Sequence, residues 1–120
     1  PFAAIDEIHQ RLDHLPLPLS LTELGLGEDG HIASLFPGMN PDLLSTYHCV
    51  AVVPPIAPSL RISLSLAMLA GSENIALVVT GKSKRQLLDQ LCKHPDSRLP
   101  FTWLLRRTNA TITAFETDTM

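Results

Sequence analysis

Three groups of side chains in this sequence are of types that could do chemistry together. The first is the run Gly25-Leu26-Gly27-Glu28-Asp29-Gly30-His31, continued by Ile32-Ala33-Ser34-Leu35-Phe36-Pro37-Gly38. An imidazole that titrates near neutrality, a carboxylate two residues before it and several glycines describe a turn that forms a pocket around a general base. His31 would be that base, and Asp29 the group that orients it or stabilises its protonated form. A purely structural reading is also open, with Asp29 capping a short helix and His31 in its first turn. The second group is Lys84, within Gly81-Lys82-Ser83-Lys84-Arg85-Gln86. Ser-x-x-Gln has the form of a capping box, which predicts Ser83 as the N-cap and Lys84 as the first helical residue. A cation there opposes the positive end of the helix dipole, yet it suits a phosphate that meets backbone N–H groups and an ammonium together. Lys82 and Arg85 flank it, and three solvated surface charges are the alternative. The third is Arg61, which ends the loop Pro54-Pro55-Ile56-Ala57-Pro58-Ser59-Leu60. Prolines restrict the unfolded chain, so such a loop presents a side chain at lower ordering cost. A surface ion pair is the alternative for Arg61.

Gly25, Gly27 and Gly30 also satisfy GxGxxG, the dinucleotide fingerprint. That motif needs a full crossover helix and an acidic residue about 20 positions further on. Pro37 and Gly38 stop any helix early, and Ser45 to Pro54 contains no Asp or Glu. The glycines therefore serve the His31 turn rather than a nucleotide.

The elements that must position these groups alternate between helix and strand. Phe2, Ile5, Ile8, Leu12 and Leu15 recur at helical spacing opposite Asp6, Glu7, Gln10, Arg11 and Asp13, which predicts an amphipathic helix from Pro1 to the stop at Pro16 and Pro18. Leu19–Leu24 is short and apolar, as a buried strand leading into the glycine turn would be. Cys49–Val53 and Ile75–Thr80 are rich in β-branched residues, predicting two further strands, and Thr111–Phe115 predicts a fourth. Ser83 to Cys92, ended by Pro95, and Pro100–Arg107 read as helices. Ile62–Ala70 fits either state, alternating first and then taking helical spacing up to Gly71. The pattern implies a parallel sheet with helices on both faces, and such sheets bind ligands at the carboxyl ends of their strands.

With 120 residues, 45% of them hydrophobic and 18% charged, the sequence has the length and composition of a single globular α/β domain. A net charge of -3 argues against a nucleic-acid or membrane surface, so an anionic ligand would be held by a few local cations. Cys49 and Cys92 are isolated thiols, read as reduced cysteines of a cytoplasmic protein. His9 and His14 do not share a helix face, and His48 stands alone before a strand. No HExxH or Cys/His ligand spacing occurs, so neither a structural nor a catalytic metal is expected. Phe101 and Trp103 read as core anchors.

The run from Gly25 to Gly38 resembles the Gly-X-Gly-X-Asp-Gly-His-X-Ala-Ser-Leu-Phe-Pro-Gly signature of 6-phosphogluconolactonases, which share a superfamily with glucosamine-6-phosphate deaminases and ribose-5-phosphate isomerases. Gly81 to Lys84 is similar to that family's Gly-x-x-Lys element, whose lysine is implied to bind substrate phosphate. Pro58 with Arg61-Ile62-Ser63-Leu64 is similar to its Pro-X-X-Arg-Ile-Thr-Leu element, with Ser63 in place of threonine, and implies a substrate-contacting arginine. The resemblance covers the chain from about Leu19 onward and favours helix over Ile62–Ala70. It implies a Rossmann-like, three-layer α/β fold with a parallel sheet, of the phosphosugar isomerase/deaminase/lactonase type. Residues 1–120 would be one partial domain, the C-terminal half of a lactonase. The implied reaction is hydrolysis of 6-phosphoglucono-1,5-lactone, with His31 and Asp29 catalytic, Gly25, Gly27, Gly30, Arg61 and Lys84 binding substrate, glycine-turn N–H groups as oxyanion donors, and no metal or organic cofactor. The partners implied are the phosphosugar lactone, the N-terminal half of the same protein and a second copy in a homo-oligomer.

Glu23 and Ile32 depart from the family pattern. Ile32 matches the deaminase form, so an amino-sugar-phosphate deaminase is one alternative. Ser34-Leu35-Phe36-Pro37-Gly38 is lactonase-like instead, and no glutamate follows to serve ring opening. A homologue that binds a sugar phosphate without turning it over is the other alternative.

Overall fold

The computed structural model describes residues 2–45, 47–55 and 59–118. Pro1 and Pro58, which the sequence places at a helix start and in the proline loop, lie outside them, as does the side chain of Phe2. The elements run in the order α1 (Ile5–Leu12), β1 (Thr22–Gly25), β2 (Cys49–Val52), β3 (Arg61–Leu64), α2 (Leu66–Ala70), β4 (Asn74–Thr80), α3 (Lys82–Lys93), α4 (Pro100–Arg107) and β5 (Thr111–Thr117).

Three strands form a parallel sheet in the order β1-β4-β5, with Leu24 beside Leu77 and Val78 beside Phe115. Thr22 and Leu24 of β1 and Ile75, Leu77 and Val79 of β4 are buried, while Glu23, Ala76, Val78 and Thr80 alternate with them and are exposed or half-buried. The buried set joins Leu88 and Leu91 of α3 and Phe101 and Leu104 of α4 in one core. Among the described residues the sheet is therefore sealed on one face, whereas helices were expected on both.

The expected strand over Cys49–Val53 exists but does not join this sheet. Cys49–Val52 pairs antiparallel with Arg61–Leu64 as a separate two-stranded ribbon. A parallel partner needs a crossover of a dozen or more residues, and the short connection over residues 53–60 permits only an antiparallel return. Ile62–Ala70 resolves into both of its readings: β3 runs to Leu64, and Ser65 then caps α2, its Oγ accepting from the Met68 N–H at 3.1 Å.

Two helix boundaries differ from those the sequence suggests. The first helix is α-helical only over Ile5–Leu12, and none of its residues is buried, so its apolar stripe makes a half-buried contact rather than a core one. Ser83 is not the N-cap of α3. Gly81 takes that position at φ +88°, a conformation that glycine adopts without strain, and its carbonyl accepts the Arg85 N–H at 3.2 Å. The helix thus starts two residues earlier than the capping box implies, which makes Lys84 its third residue. Phe101 and Trp103 are buried in α4, where the Trp103 indole N–H donates to the Ser97 carbonyl at 2.8 Å.

Candidate active site

The loop after β1 closes on itself. The Gly27 N–H donates to the His31 carbonyl at 2.9 Å and the Gly30 N–H to the Gly27 carbonyl at 3.0 Å, while Ile32 and Leu35 are fully buried and anchor the loop from below. Gly30 sits at φ +87°, and a Cβ there would meet Leu99 at 3.0–3.1 Å. Ala33 follows at φ +48°, a left-handed conformation uncommon for a residue with a side chain. On the far side, the Ser34 N–H donates to Ser63 Oγ at 3.2 Å, which moors the loop to β3.

Within this turn Asp29 makes two contacts with one residue. Its Oδ1 accepts the His31 backbone N–H at 3.1 Å and lies 2.6 Å from His31 Nδ1. The expectation that Asp29 orients the imidazole is thus met in geometry, and no helix follows for it to cap. With Nδ1–H donated to Asp29, Nε2 is the acceptor nitrogen of the ring. Burial pushes the Asp29 carboxyl upward, but the His31 backbone N–H, the ring hydrogen bond and the ring's charge outweigh it, and the pKa lies below the usual carboxylate value. The imidazole packs directly over Gly27, where a Cβ would fall 2.1 Å from Nδ1. Any side chain at residue 27 would occupy the space of the ring.

A cavity of about 420 Å³ opens at the carboxyl ends of β1 and β4, lined by Gly25, Gly27 and His31 on one side and by Val78, Thr80 and Lys84 on the other. Four of the expected site residues, Gly25, Gly27, His31 and Lys84, thus line one cavity. Asp29 and Gly30 lie outside the lining, in the turn that carries His31. Arg61 lies outside the lining: its guanidinium carbon is 5.9 Å from the centroid of the Phe36 ring, and that ring lies 4.8 Å from the His31 ring. Phe36 is therefore the spacer between the imidazole and the arginine. Among the described residues neither Lys84 nor Arg61 makes an ion pair, whereas neighbouring Arg85 is engaged by Asp118. The surface-pair alternative for Arg61 is not what the structure shows.

The N–H groups of Gly27 and Gly30 are spent inside the loop, so neither is free to meet a developing oxyanion in this conformation. Sequence reasoning also missed three features. Glu23 lines the cavity, a position it shares with Gly25 through the two-residue repeat of β1. Ser83, freed from capping, donates its hydroxyl to Glu28 Oε1 at 3.0 Å and so ties the glycine loop to the start of α3. Finally, His48 does not stand alone: its Nε2 lies 2.6 Å from Asp13 Oδ1, and its ring is 4.5 Å from that of His9. Only tertiary folding brings that second cluster together.

Residues 1–113 match the family described as glucosamine-6-phosphate isomerases/6-phosphogluconolactonase. The chain belongs to this family. It is 44% identical over 103 residues to a 6-phosphogluconolactonase of Caulobacter vibrioides, covering 79% of this chain and 43% of that one. It is 34% identical over 116 residues to a 6-phosphogluconolactonase of Pseudomonas aeruginosa, covering 88% and 49%. Among solved structures, the fold superposes on a 6-phosphogluconolactonase from Shewanella baltica with a TM-score of 0.85 and 29% identity, over 95% of this chain and 51% of that chain. A monomeric glucosamine-6-phosphate deaminase shares the fold at a TM-score of 0.75. The chain spans about half the length of the curated relatives it matches. The Rossmann-like α/β fold implied by the sequence is thus that of the family. No described helix is long and apolar enough to cross a membrane.

Proposed function

We propose that the protein containing this chain works in the cytoplasm and hydrolyses 6-phosphoglucono-1,5-lactone to 6-phosphogluconate in the oxidative pentose phosphate pathway, a reading supported by relatives named 6-phosphogluconolactonase. The observation that carries this reading is the Asp29–His31 pair, which leaves Nε2 as the acceptor of a ring packed against a cavity that Lys84 also lines. Water held at Nε2 loses its proton as it attacks the lactone carbonyl carbon, and Asp29 stabilises the imidazolium that forms. The protonated ring then returns the proton to the ring oxygen as the C–O bond breaks. Lys84, on the first turn of α3, holds the phosphate together with the helix N-terminus. Arg61 approaches the sugar from across Phe36. Gly25, Gly27 and Gly30 shape the substrate wall, with Gly27 leaving room for the imidazole. No step requires a metal or organic cofactor.

Ser34-Leu35-Phe36-Pro37-Gly38 supports lactonase over deaminase chemistry, since no carboxylate follows His31 there to assist sugar ring opening. The half-exposed sheet face and the coverage of only half of each relative support a working site completed by a further half of the same domain. The same exposed face is where the isolated segment would self-associate.

The test is Lys84→Ala in the whole protein. A remote phosphate anchor holds ground and transition states alike, so KM for the phosphorylated lactone rises more than kcat falls. Gluconolactone without phosphate is the control: equal loss on both substrates removes Lys84 from phosphate recognition. A wild-type rate no faster than spontaneous hydrolysis removes the lactonase reading itself.

A further inference from the structure

Helix α1 buries none of its residues, yet it lies against β2 through polar groups. His9 and Asp13, one helical turn apart, face His48 at the entrance to β2. The two imidazoles stand side by side, 4.5 Å apart and inclined by 34°, and both present Nε2 to the Asp13 carboxylate, at 2.6 Å for His48 and 3.8 Å for His9. One ligand atom from each of the three residues lies within 4.8 Å of the other two. We propose that His9, Asp13 and His48 bind a divalent transition-metal ion of the zinc class, pinning α1 to β2.

The donor set selects the class of ion. Two imidazoles with one carboxylate suit zinc, cobalt, nickel or copper, whereas magnesium and calcium favour oxygen ligands. A tetrahedral ion with ligands at about 2.0–2.2 Å needs its donor atoms roughly 3.3 Å apart, so the trio adjusts by an ångström or so. Both histidine side chains are about three-quarters buried and Asp13 is more than half exposed, at 24%, 26% and 57% exposure respectively. The fourth position thus opens to water.

Proton bookkeeping makes the site distinctive. His9 Nδ1 accepts the His48 backbone N–H at 3.0 Å, so the proton of the neutral ring resides on Nε2. The metal takes the place of the Nε2 protons of both rings, and each proton moves to Nδ1 or to solvent. His9 Nδ1 then becomes a donor and releases the His48 amide. Binding therefore sacrifices one hydrogen bond, which places the affinity in the micromolar range rather than that of a structural zinc site.

The experiment uses untagged, chelator-stripped whole protein and the metal alone. Zn2+ titration is expected to show one ion per chain, Co2+ to give the visible spectrum of a nitrogen- and oxygen-ligated ion, and the His48 backbone amide resonance to shift on loading. His9→Ala, Asp13→Asn and His48→Ala are each expected to weaken binding at least about tenfold, while His14→Ala and His31→Ala keep it. The Co2+ spectrum and the His48 amide shift need no variant, so a destabilised α1 does not mask the answer. Three results overturn the site: no saturable binding in the micromolar range, binding that survives His48→Ala, and binding that His31→Ala abolishes.

Discussion

Two histidine–carboxylate pairs in this molecule have the same separation, 2.6 Å, and are built in opposite ways. In the first, Asp29 and His31 are two residues apart in a turn closed by Gly27 and Gly30, and one carboxylate oxygen holds both the backbone and the ring of its partner. In the second, Asp13 and His48 come from different elements and meet only when α1 folds against β2. The local pair fixes one tautomer in a ring that lines a cavity together with Lys84. The tertiary pair faces another imidazole and solvent. Distance alone does not distinguish a base from a clasp. What distinguishes them is what each pair lies beside, and how much of the pair's order comes from the turn itself.

The sharpest break in the comparison is His31→Ala against His48→Ala in the whole protein. Loss of a general base costs about two to four decades of turnover, so His31→Ala should lower kcat by that much once spontaneous lactone hydrolysis is subtracted. His48→Ala should leave kcat within a few-fold and lower thermal stability instead. Unchanged turnover in a folded His31→Ala protein removes His31 from the mechanism.

A smaller effect is expected from Gly27→Ala. Its Cβ would fall 2.1 Å from His31 Nδ1, so the ring must leave its place beside Asp29. Displacement of a catalytic group by about an ångström is enough for a loss on the order of a hundredfold. Gly25→Ala separates the two effects: no atom lies within 4 Å of a Cβ built there, so the imidazole keeps its place and any loss from crowding the substrate wall appears in KM rather than in kcat. Equal loss of kcat in both variants would show that loop flexibility, rather than room for the imidazole, is what Gly27 supplies.

The same contrast explains which parts of the molecule were legible in the sequence. Asp29 and His31 are neighbours along the chain, and Lys84 follows directly from the end of β4, so local spacing exposed both. β4 carries Ile75-Ala76-Leu77-Val78-Val79-Thr80 and could scarcely be read as anything else. Cys49–Val52 has the same composition, and only the short return to Arg61 decides that it forms a ribbon apart from the sheet. Ser83 misled because a capping box competes with a glycine that starts the helix two residues sooner. The cluster of His9, Asp13 and His48 was invisible for a more basic reason: periodicity along one helix says nothing about which strand packs against it.

The smallest effect concerns acid stability and compares two turns of one design. Asp96 repeats the arrangement of Asp29: its Oδ1 accepts both the backbone N–H and the side-chain Nε–H of the residue two positions on, Arg98, each at 3.0 Å. The Arg98 side-chain and backbone hydrogen bonds bring the Asp96 carboxyl down to about 2 from an ordinary 3.8. Asp29 is lowered as well, although burial opposes the shift. A carboxyl whose folded pKa lies below its unfolded value favours the folded state fully above the unfolded value, and that contribution is lost as pH falls through the folded one. Both turns therefore hold their contribution above about pH 4 and lose it as the pH falls below that, the Asp96 turn as the pH approaches about 2. Asp96→Asn and Asp29→Asn should each flatten the acid limb of an unfolding curve and leave its slope from pH 5 to 7 unchanged, Asp96→Asn the more so. Solvent screens both exposed pairs, so the change is small. At neutral pH the two variants should part company: Asp29→Asn slows lactone turnover because the imidazolium loses its counter-charge, and Asp96→Asn leaves turnover alone. An equal effect on turnover would mean that the charge of Asp29 acts only on the fold.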